Sequence, residues 1–247
     1  MVARRHQLHG PIADSAQAER ASSVYTLKPE PHSSHSIILG WLGQGQGRRL
    51  LDVGAAGGLL SGPLSEQGWR VTAIERDPVL AAAGAAFCEE MLVADLDQEI
   101  PETEGPFDAI VYADLLEHLR DPLRVLTGLN RNLSPTGQVI VSVPNVAHLW
   151  IRVLLLFGRF DRTDRGILDQ THLHFYTERS LSKLLLEAGL TPLRRTVTPA
   201  PLYQAVPGRL QGSWLPPINA VHARLAQLQP RLLGYQFVIM ARLADIS

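Results

Sequence analysis

The stretch Leu50-Leu51-Asp52-Val53-Gly54-Ala55-Ala56-Gly57-Gly58 decides the fold of this chain, because an apolar run ends in an acid and passes directly into a glycine-rich turn. Glycines at such a turn let the backbone take positive φ and let a ligand approach closely. The next apolar run, Val71 to Glu75 (VTAIE), also closes on an acid, and Glu75 stands 23 positions beyond Asp52 (75 − 52), about one βαβ step away. An acid at that point suits the vicinal diol of a ribose, and the two features together outline a site for a nucleotide-type cofactor.

Outward from this stretch the same alternation continues. Apolar runs recur at Met91 to Leu96, Phe107 to Ala113 and Gln138 to Val143, each bounded by Gly, Pro or an acid, after a predicted helix over Ser33 to Leu42. Between them the pattern predicts helices after Gly58 and over Pro78 to Phe87, Leu115 to Leu119, Pro122 to Leu133 and Glu178 to Ala188. Strands with no polar face, alternating with helices, predict a parallel sheet covered on both sides, with ligands at the carboxyl ends of the strands. Leu193 to Thr198 and Tyr235 to Ala241 read as the last two strands, separated by a Pro-rich insertion with a helix near Ala220 to Leu228.

At 247 residues and 45% hydrophobic content, one domain spanning residues 1–247 accommodates the pattern, with 1–32 as an N-terminal leader or lid and with 145–170 and 200–233 as cap insertions. Lys plus Arg (23) nearly balances Asp plus Glu (24), which disfavours nucleic acid as a partner. The single cysteine, Cys88, excludes an internal disulfide and a multi-cysteine zinc site. MVARRHQLHG is basic, but no apolar segment of signal-peptide type follows it, so a cytoplasmic location is expected. The longest apolar run, Leu149 to Phe157, is interrupted by Arg152 and too short to span a bilayer.

Two cofactor classes compete for the glycine turn. A dinucleotide fingerprint, G-x-G-x-x-G, counted from Gly54 meets Ala56 at its third position and Leu59 at its sixth, which argues against a nicotinamide oxidoreductase. The arrangement of Asp52, Gly54 and Gly58 suits S-adenosyl-L-methionine better, since this ligand has no pyrophosphate to lodge on a helix N-terminus. Its amino-acid moiety lies against the turn instead, where a carboxylate can hold the ammonium group.

The ordered set LLDVGAAGG, VTAIERDP, VADLD, FDAIVYADLLEHLRDP and the Pro-Thr-Gly turn before VIVSVPN resembles the class I S-adenosylmethionine-dependent methyltransferases. It is most similar to the small-molecule group that includes the ubiquinone-pathway O-methyltransferases and MetW-like proteins. The resemblance covers roughly Ser33 to Leu193. It implies a doubly wound, Rossmann-like α/β fold: a seven-stranded, mostly parallel sheet with a C-terminal antiparallel strand, helices on both faces and lid insertions. It further implies that Asp52, Gly54, Ala55 and Gly58 line the methionine part of the cofactor and that Glu75 accepts both ribose hydroxyls. Arg76 would cover the adenine face, Asp95 would accept from the adenine amino group beside the Leu96 backbone, and Asp114 would stand where cofactor and acceptor meet. Ala56 departs from the family, which carries a glycine there. In related enzymes the segment before the first helix folds over the cofactor, which makes Tyr25 a contact by the same resemblance.

Methyl transfer needs an in-line attack and exclusion of water, and a hydroxyl acceptor also needs its proton removed. Histidine suits that task near neutral pH, and His118 in LLEHL follows the strand that carries Asp114. DQTHLHFYT, Asp169 to Thr177, places His172 and His174 on alternate positions, hence on one face if the segment is extended. They are read as an active-site wall, and no metal is expected because no third ligand group is evident. The family resemblance places Asn145 and Tyr176 near acceptor hydroxyls.

The predicted lid helix, Val146 to Phe157, is apolar enough to suggest a lipid surface, but its only cation is Arg152. Its apolar face is expected to pack on the core, over the acceptor cavity, or in a homodimer. The sequence thus points to methyl transfer onto oxygen, or alternatively nitrogen, of a small-molecule or sugar-containing acceptor. The competing reading is a cofactor-binding accessory protein without turnover.

Overall fold

The structure, a computed structural model, describes residues 30 to 244; Tyr25 and most of the expected N-terminal lid lie outside the described residues. Its strands are β1 (Arg49–Val53), β2 (Arg70–Glu75), β3 (Glu90–Val93), β4 (Phe107–Ala113), β5 (Leu133–Pro144), β6 (Leu190–Thr198) and β7 (Gln236–Leu243). They form one seven-stranded sheet in the order β3-β2-β1-β4-β5-β7-β6. The pairs from β3 through β5 are parallel, and β7 runs antiparallel to both β5 and β6. This is the doubly wound sheet that the sequence leads one to expect.

Successive strand residues point to opposite faces, and this chain uses both. Leu51, Val53, Ile110, Tyr112, Val139 and Val141 enter one apolar layer, closed by α4 (Pro122–Leu129) and α6 (Glu178–Glu187) through Leu126, Leu129, Leu181 and Leu185. Leu50, Val71, Ala109, Val111, Ile140 and Val238 enter the other, closed by α1 (Ser34–Leu42) and α2 (Ser61–Glu66) through Ile38, Leu42 and Leu64. Two helices start at Asp-Pro pairs. Asp77 caps α3 (Pro78–Gly84) by accepting from Val79 N at 2.8 Å, and Asp121 caps α4 by accepting from Arg124 N at 2.9 Å. In each the proline occupies the first turn, where its missing N–H costs nothing.

The structure departs from the sequence pattern in instructive places. β3 ends at Val93 because Asp95 closes a turn, accepting from Asp97 N at 3.1 Å. The predicted helix at Leu115 to Leu119 is a single 3-10 turn, Leu116–His118. After α7 (Leu202–Ala205), α8 (Leu215–Leu228) begins earlier than expected, since Pro216 and Pro217 sit in its first turn; α9 (Pro230–Leu233) follows. The lid helix α5 (Leu149–Leu156) does not bury its apolar surface in the core: Ile151 is its one buried residue, while Trp150 is 61% and Leu156 83% exposed.

β1 has β2 on one side and β4 on the other, so the chain winds away from it in both directions. The crevice at the carboxyl ends of β1 and β4 is therefore where this architecture places a ligand.

Candidate active site

The turn after β1 is a backbone cradle. Gly54 and Gly58 hold φ of 78° and 84°, and a Cβ on Gly58 would stand 2.8 Å from Phe87 Cδ2 and 3.0 Å from the Gly84 Cα. Gly84, which ends α3, is equally constrained, since its own Cβ would meet Gly57 C and Gly58 N at 2.9 Å. The turn and α3 thus touch backbone to backbone, a contact that no single-residue signal in the sequence announces. Ala56 also adopts positive φ, at 45°, without being glycine.

Carboxylates line the edge of this cradle. Glu75, the last residue of β2, accepts from Ala56 N through Oε2 at 2.8 Å and from Asp77 N through Oε1 at 2.9 Å. Each oxygen retains a further lone pair, so two donors of a diol still find acceptors there. Asp52, in β1, is 2% exposed and accepts from Ser61 Oγ at 2.7 Å. Burial pushes its carboxyl up to about 6, opposed by the Ser61 hydrogen bond and reinforced by the Glu75 charge. Asp95 is engaged within its own turn, by Asp97 N at 3.1 Å and by Gln98 Nε2 at 2.9 Å, and the first of these draws its carboxyl below the ordinary range. Leu96 is buried beside it, and Arg76 is exposed, near enough for its charge to act on both Asp95 and His118.

Asp114 follows β4 in a left-handed conformation, φ 50°, which a non-glycine residue adopts only under constraint. Its Oδ1 accepts from Ser142 Oγ on β5 at 2.7 Å and from Gln236 Nε2 on β7 at 2.8 Å. Gln236 is itself tied to β6, its backbone N donating to Thr198 Oγ1 at 3.2 Å. A row of side chains across four strands therefore orients this carboxylate. The sequence reading missed Ser142, Gln236 and Thr198, which stand near the end of β5, at the start of β7 and at the end of β6.

The structure brings His118 and His172 together, with ring centroids 4.8 Å apart and edge-on. His118 Nδ1 lies 3.3 Å from Thr171 O, and His172 Nδ1 lies 3.1 Å from Ile167 O. Burial lowers both imidazoles below their ordinary value, so both are neutral at pH 7. Glu117, 1% exposed, completes a group whose ligand atoms all lie within 4.8 Å of one another. The third metal-ligand group that the sequence did not reveal thus stands on the same turn as His118, and among the described residues these three form a group that could hold a cation.

Three expected site residues have contacts of their own. His174 is not part of the histidine pair: its Nε2 lies 3.3 Å from Arg120 O, and its backbone N donates to Glu117 O, which docks the strip on the 3-10 turn. Asn145 is fully buried, donating to Gly234 O at 2.8 Å and accepting from Ala147 N at 2.9 Å. Tyr176 is buried, with its hydroxyl 3.4 Å from Leu116 O. Asn145 thus ties the end of β5 to the segment before β7, and Tyr176 the strip to the 3-10 turn. Arg162, which the sequence reading passed over, clamps the other side of the strip by donating from Nη2 to Asp169 O, Gln170 O and His172 O at 2.8, 2.9 and 2.7 Å.

A seven-stranded sheet with this order, a glycine cradle after β1 and an acid ending β2 define a class I S-adenosylmethionine-dependent methyltransferase. A family profile described as a methyltransferase domain matches residues 32–194, and the chain belongs to that family. Among curated proteins it is similar to the ubiquinone biosynthesis O-methyltransferase of Xylella fastidiosa (strain 9a5c), 35% identical over 105 residues, 40% of this chain and 43% of that one. The corresponding enzyme of Dechloromonas aromatica (strain RCB) is 32% identical over 126 residues, 46% of this chain and 53% of that one. The match thus spans about half or less of these relatives' length. Among solved structures, magnesium protoporphyrin IX methyltransferase from Synechocystis PCC 6803 with bound S-adenosylhomocysteine superposes with a TM-score of 0.57 at 16% identity, over 95% of this chain and 90% of that one. The 1,6-didemethyltoxoflavin-N1-methyltransferase of Burkholderia thailandensis gives 0.56 at 20% identity, over 96% and 94%. These two likenesses show the fold. Among the described residues no helix is long and apolar enough to cross a membrane.

Proposed function

We propose that this methyltransferase acts on an oxygen of a small-molecule acceptor, bound where Asp114, His118 and His172 face the glycine cradle. The observation that carries this reading is the pair of neutral imidazoles held beside the strand end that bears Asp114. When bound, S-adenosyl-L-methionine supplies an electrophilic methyl group. The cradle fits it, since Gly54, Gly57 and Gly58 sustain the positive φ of the turn and Glu75 presents two fixed oxygens to a diol. Asp52, buried behind the turn, offers the negative charge for an ammonium group.

On the acceptor side, Asp114 holds its carboxylate in one orientation and the histidine pair activates the acceptor hydroxyl. We read the chain as one methyltransferase domain in which residues 145–170 and 200–233 are caps that choose the acceptor and exclude water from it. The relatives that carry ubiquinone O-methyltransferase names support oxygen over nitrogen.

The test is calorimetric binding of S-adenosylhomocysteine with NAD as competitor, followed by a labelled-methyl screen against hydroxyl and amine acceptors. Tight S-adenosylhomocysteine binding and transfer to hydroxyl acceptors support the proposal. Transfer to amines alone overturns the oxygen assignment, and a preference for NAD overturns the cofactor reading.

A further inference from the structure

We propose that Glu117, His118 and His172 form a site for one divalent cation of the borderline class, Zn²⁺ or its spectroscopic analogue Co²⁺, at the mouth of the acceptor cavity. The binding of the cation stands on geometry alone; its place beside the acceptor rests on the function proposed above.

The hydrogen bonds of the two imidazoles carry the argument. Each Nδ1 faces a backbone carbonyl, Thr171 O for His118 and Ile167 O for His172, at 3.3 and 3.1 Å, and the Thr171 hydroxyl, 3.2 Å from His118 Nδ1, gives its own proton to Asp169 Oδ1 and so can only accept there. A carbonyl only accepts, so each Nδ1 donates and the proton resides there. Each Nε2 is then left with its lone pair as a ligand atom. An outer carbonyl fixing the tautomer of a ligating histidine is the usual partner arrangement at protein metal sites. The rings meet edge-on rather than stacking, at an interplanar angle of 73°.

The two halves come from segments far apart in the chain, the turn after β4 and the strip before α6, and the backbone fastens them together. Leu173 N and His174 N both donate to Glu117 O, at 2.7 and 3.1 Å, and Arg162 Nη2 holds His172 O at 2.7 Å. In a tetrahedral site, donors about 2.0–2.2 Å from a zinc ion lie about 3.3–3.6 Å apart. From the present limit of 4.8 Å the ligand atoms draw together by about 1.2–1.5 Å to hold the ion, and His118, the half-buried member, is the least enclosed of the three.

Ligand chemistry selects the ion. Two imidazoles and one carboxylate suit zinc and its neighbours and disfavour magnesium or calcium, which take oxygen ligands. Three protein ligands also leave a coordination position open, as in catalytic zinc sites, and there an acceptor oxygen would be polarised.

The experiment uses the purified full chain, stripped with a chelator and titrated with Co²⁺ while its visible absorption is recorded, with S-adenosylhomocysteine calorimetry run in parallel. One equivalent of Co²⁺ per chain, displaced by Zn²⁺, is expected. Loss of even an outer partner weakens metal affinity about 10–100-fold, so Glu117→Gln and His172→Ala are expected to weaken Co²⁺ by at least that factor while S-adenosylhomocysteine binding is retained. Absence of stoichiometric Co²⁺ binding, or wild-type binding in both variants, overturns the site. Normal Co²⁺ binding without S-adenosylhomocysteine binding leaves the site standing and overturns the cofactor reading instead. Should Glu117→Gln lose its far-ultraviolet circular dichroism, His118→Ala, at the half-buried position, carries the same test.

Discussion

Glu75 accepts the backbone N–H of Ala56 at 2.8 Å, which ties the acid ending β2 to the glycine turn after β1 before any ligand arrives. The other oxygen is held equally by Asp77 N at 2.9 Å, so both carboxylate oxygens are fixed in place. Glu75→Gln substitutes a donor for one of these oxygens and sets it against an N–H. A hydrogen bond to a charged group contributes about 1.5–3 kcal/mol, so S-adenosylhomocysteine affinity should fall about 10–100-fold. Calorimetry checks this, and an unchanged Kd would remove Glu75 from the cofactor site.

Ala56 holds φ 45°, a conformation that costs an L-residue with a Cβ about 1–2 kcal/mol. Ala56→Gly removes that strain and adds back about 0.5–1 kcal/mol of unfolded-chain entropy. The expected outcome is a melting temperature equal to or slightly above that of the parent, with S-adenosylhomocysteine affinity preserved or improved. A clear drop in melting temperature would show that the methyl group packs usefully and that the departure from glycine is a gain.

Asp52 carries the pH dependence of the cofactor side. Its folded-state pKa of about 6 lies above the ordinary 3.8 because burial disfavours its charge. The folded chain thus binds a proton that the unfolded chain has released, so this contribution is fully present below about pH 3.8 and is lost as pH rises through about 6. The amount is on the order of 3 kcal/mol, and Asp52→Asn, compared with the parent by denaturant titration across that window, isolates it. An ammonium group beside Asp52 favours the ionised form, so the stabilisation by S-adenosylhomocysteine should be greater at pH 7.5 than at pH 5. Equal stabilisation at both would separate Asp52 from the ammonium.

Arg162 reaches the carbonyl groups of Asp169, Gln170 and His172 around the strip that bears His172, and its guanidinium also lies over Phe175 at 5.0 Å. Two nitrogens on Asp169 O, Nε at 3.1 Å and Nη2 at 2.8 Å, and a plane lying over a ring are within reach of a guanidinium and not of an ammonium, so Arg162→Lys should behave nearly as Arg162→Ala. Both variants should lower hydrogen-exchange protection over residues 163–172 and reduce turnover, while S-adenosylhomocysteine affinity holds. Rescue by lysine would mean that charge alone matters there.

Much of this architecture is legible in the sequence because parallel strands buried on both faces leave long apolar runs, and Asp-Pro pairs mark two helix starts unambiguously. The acids at the carboxyl ends, Asp52, Glu75 and Asp114, are legible for the same reason, each standing out against an apolar run. What stays hidden is contact between segments that the sequence separates. Glu117 reads as one more helix acid until the fold sets it beside His172, and Gly84 reads as helix filler until α3 meets the turn at Gly58. Asn145 and Tyr176 look like acceptor contacts because polar residues near a lid are ambiguous until their partners are known. Only the fold shows those partners to be Gly234 O and Leu116 O.

Gln236 lies beyond residue 194, where the family match ends, yet it donates to Asp114 Oδ1 at 2.8 Å. Asp114 is held in a left-handed conformation of the kind that costs about 1–3 kcal/mol and persists only where its surroundings enforce it. Gln236 and Ser142 both donate to this carboxylate oxygen, and Asp114 N donates to Ser142 O at 3.0 Å. Gln236→Leu keeps the volume and removes one of them, and a buried acceptor left short of a partner costs about 1–3 kcal/mol. Turnover should fall while S-adenosylhomocysteine affinity stays near the parent value, because Glu75 and the glycine turn are untouched. Gln236→Glu is the sharper variant: it sets a second carboxylate against Asp114, and two carboxylates at that distance do not both ionise. Its activity should be lower than that of Gln236→Leu at pH 7.5 and should recover in part as pH falls and one of the pair takes up a proton. A pH profile parallel to that of the parent would mean that Gln236 serves only to pack β7 against β6.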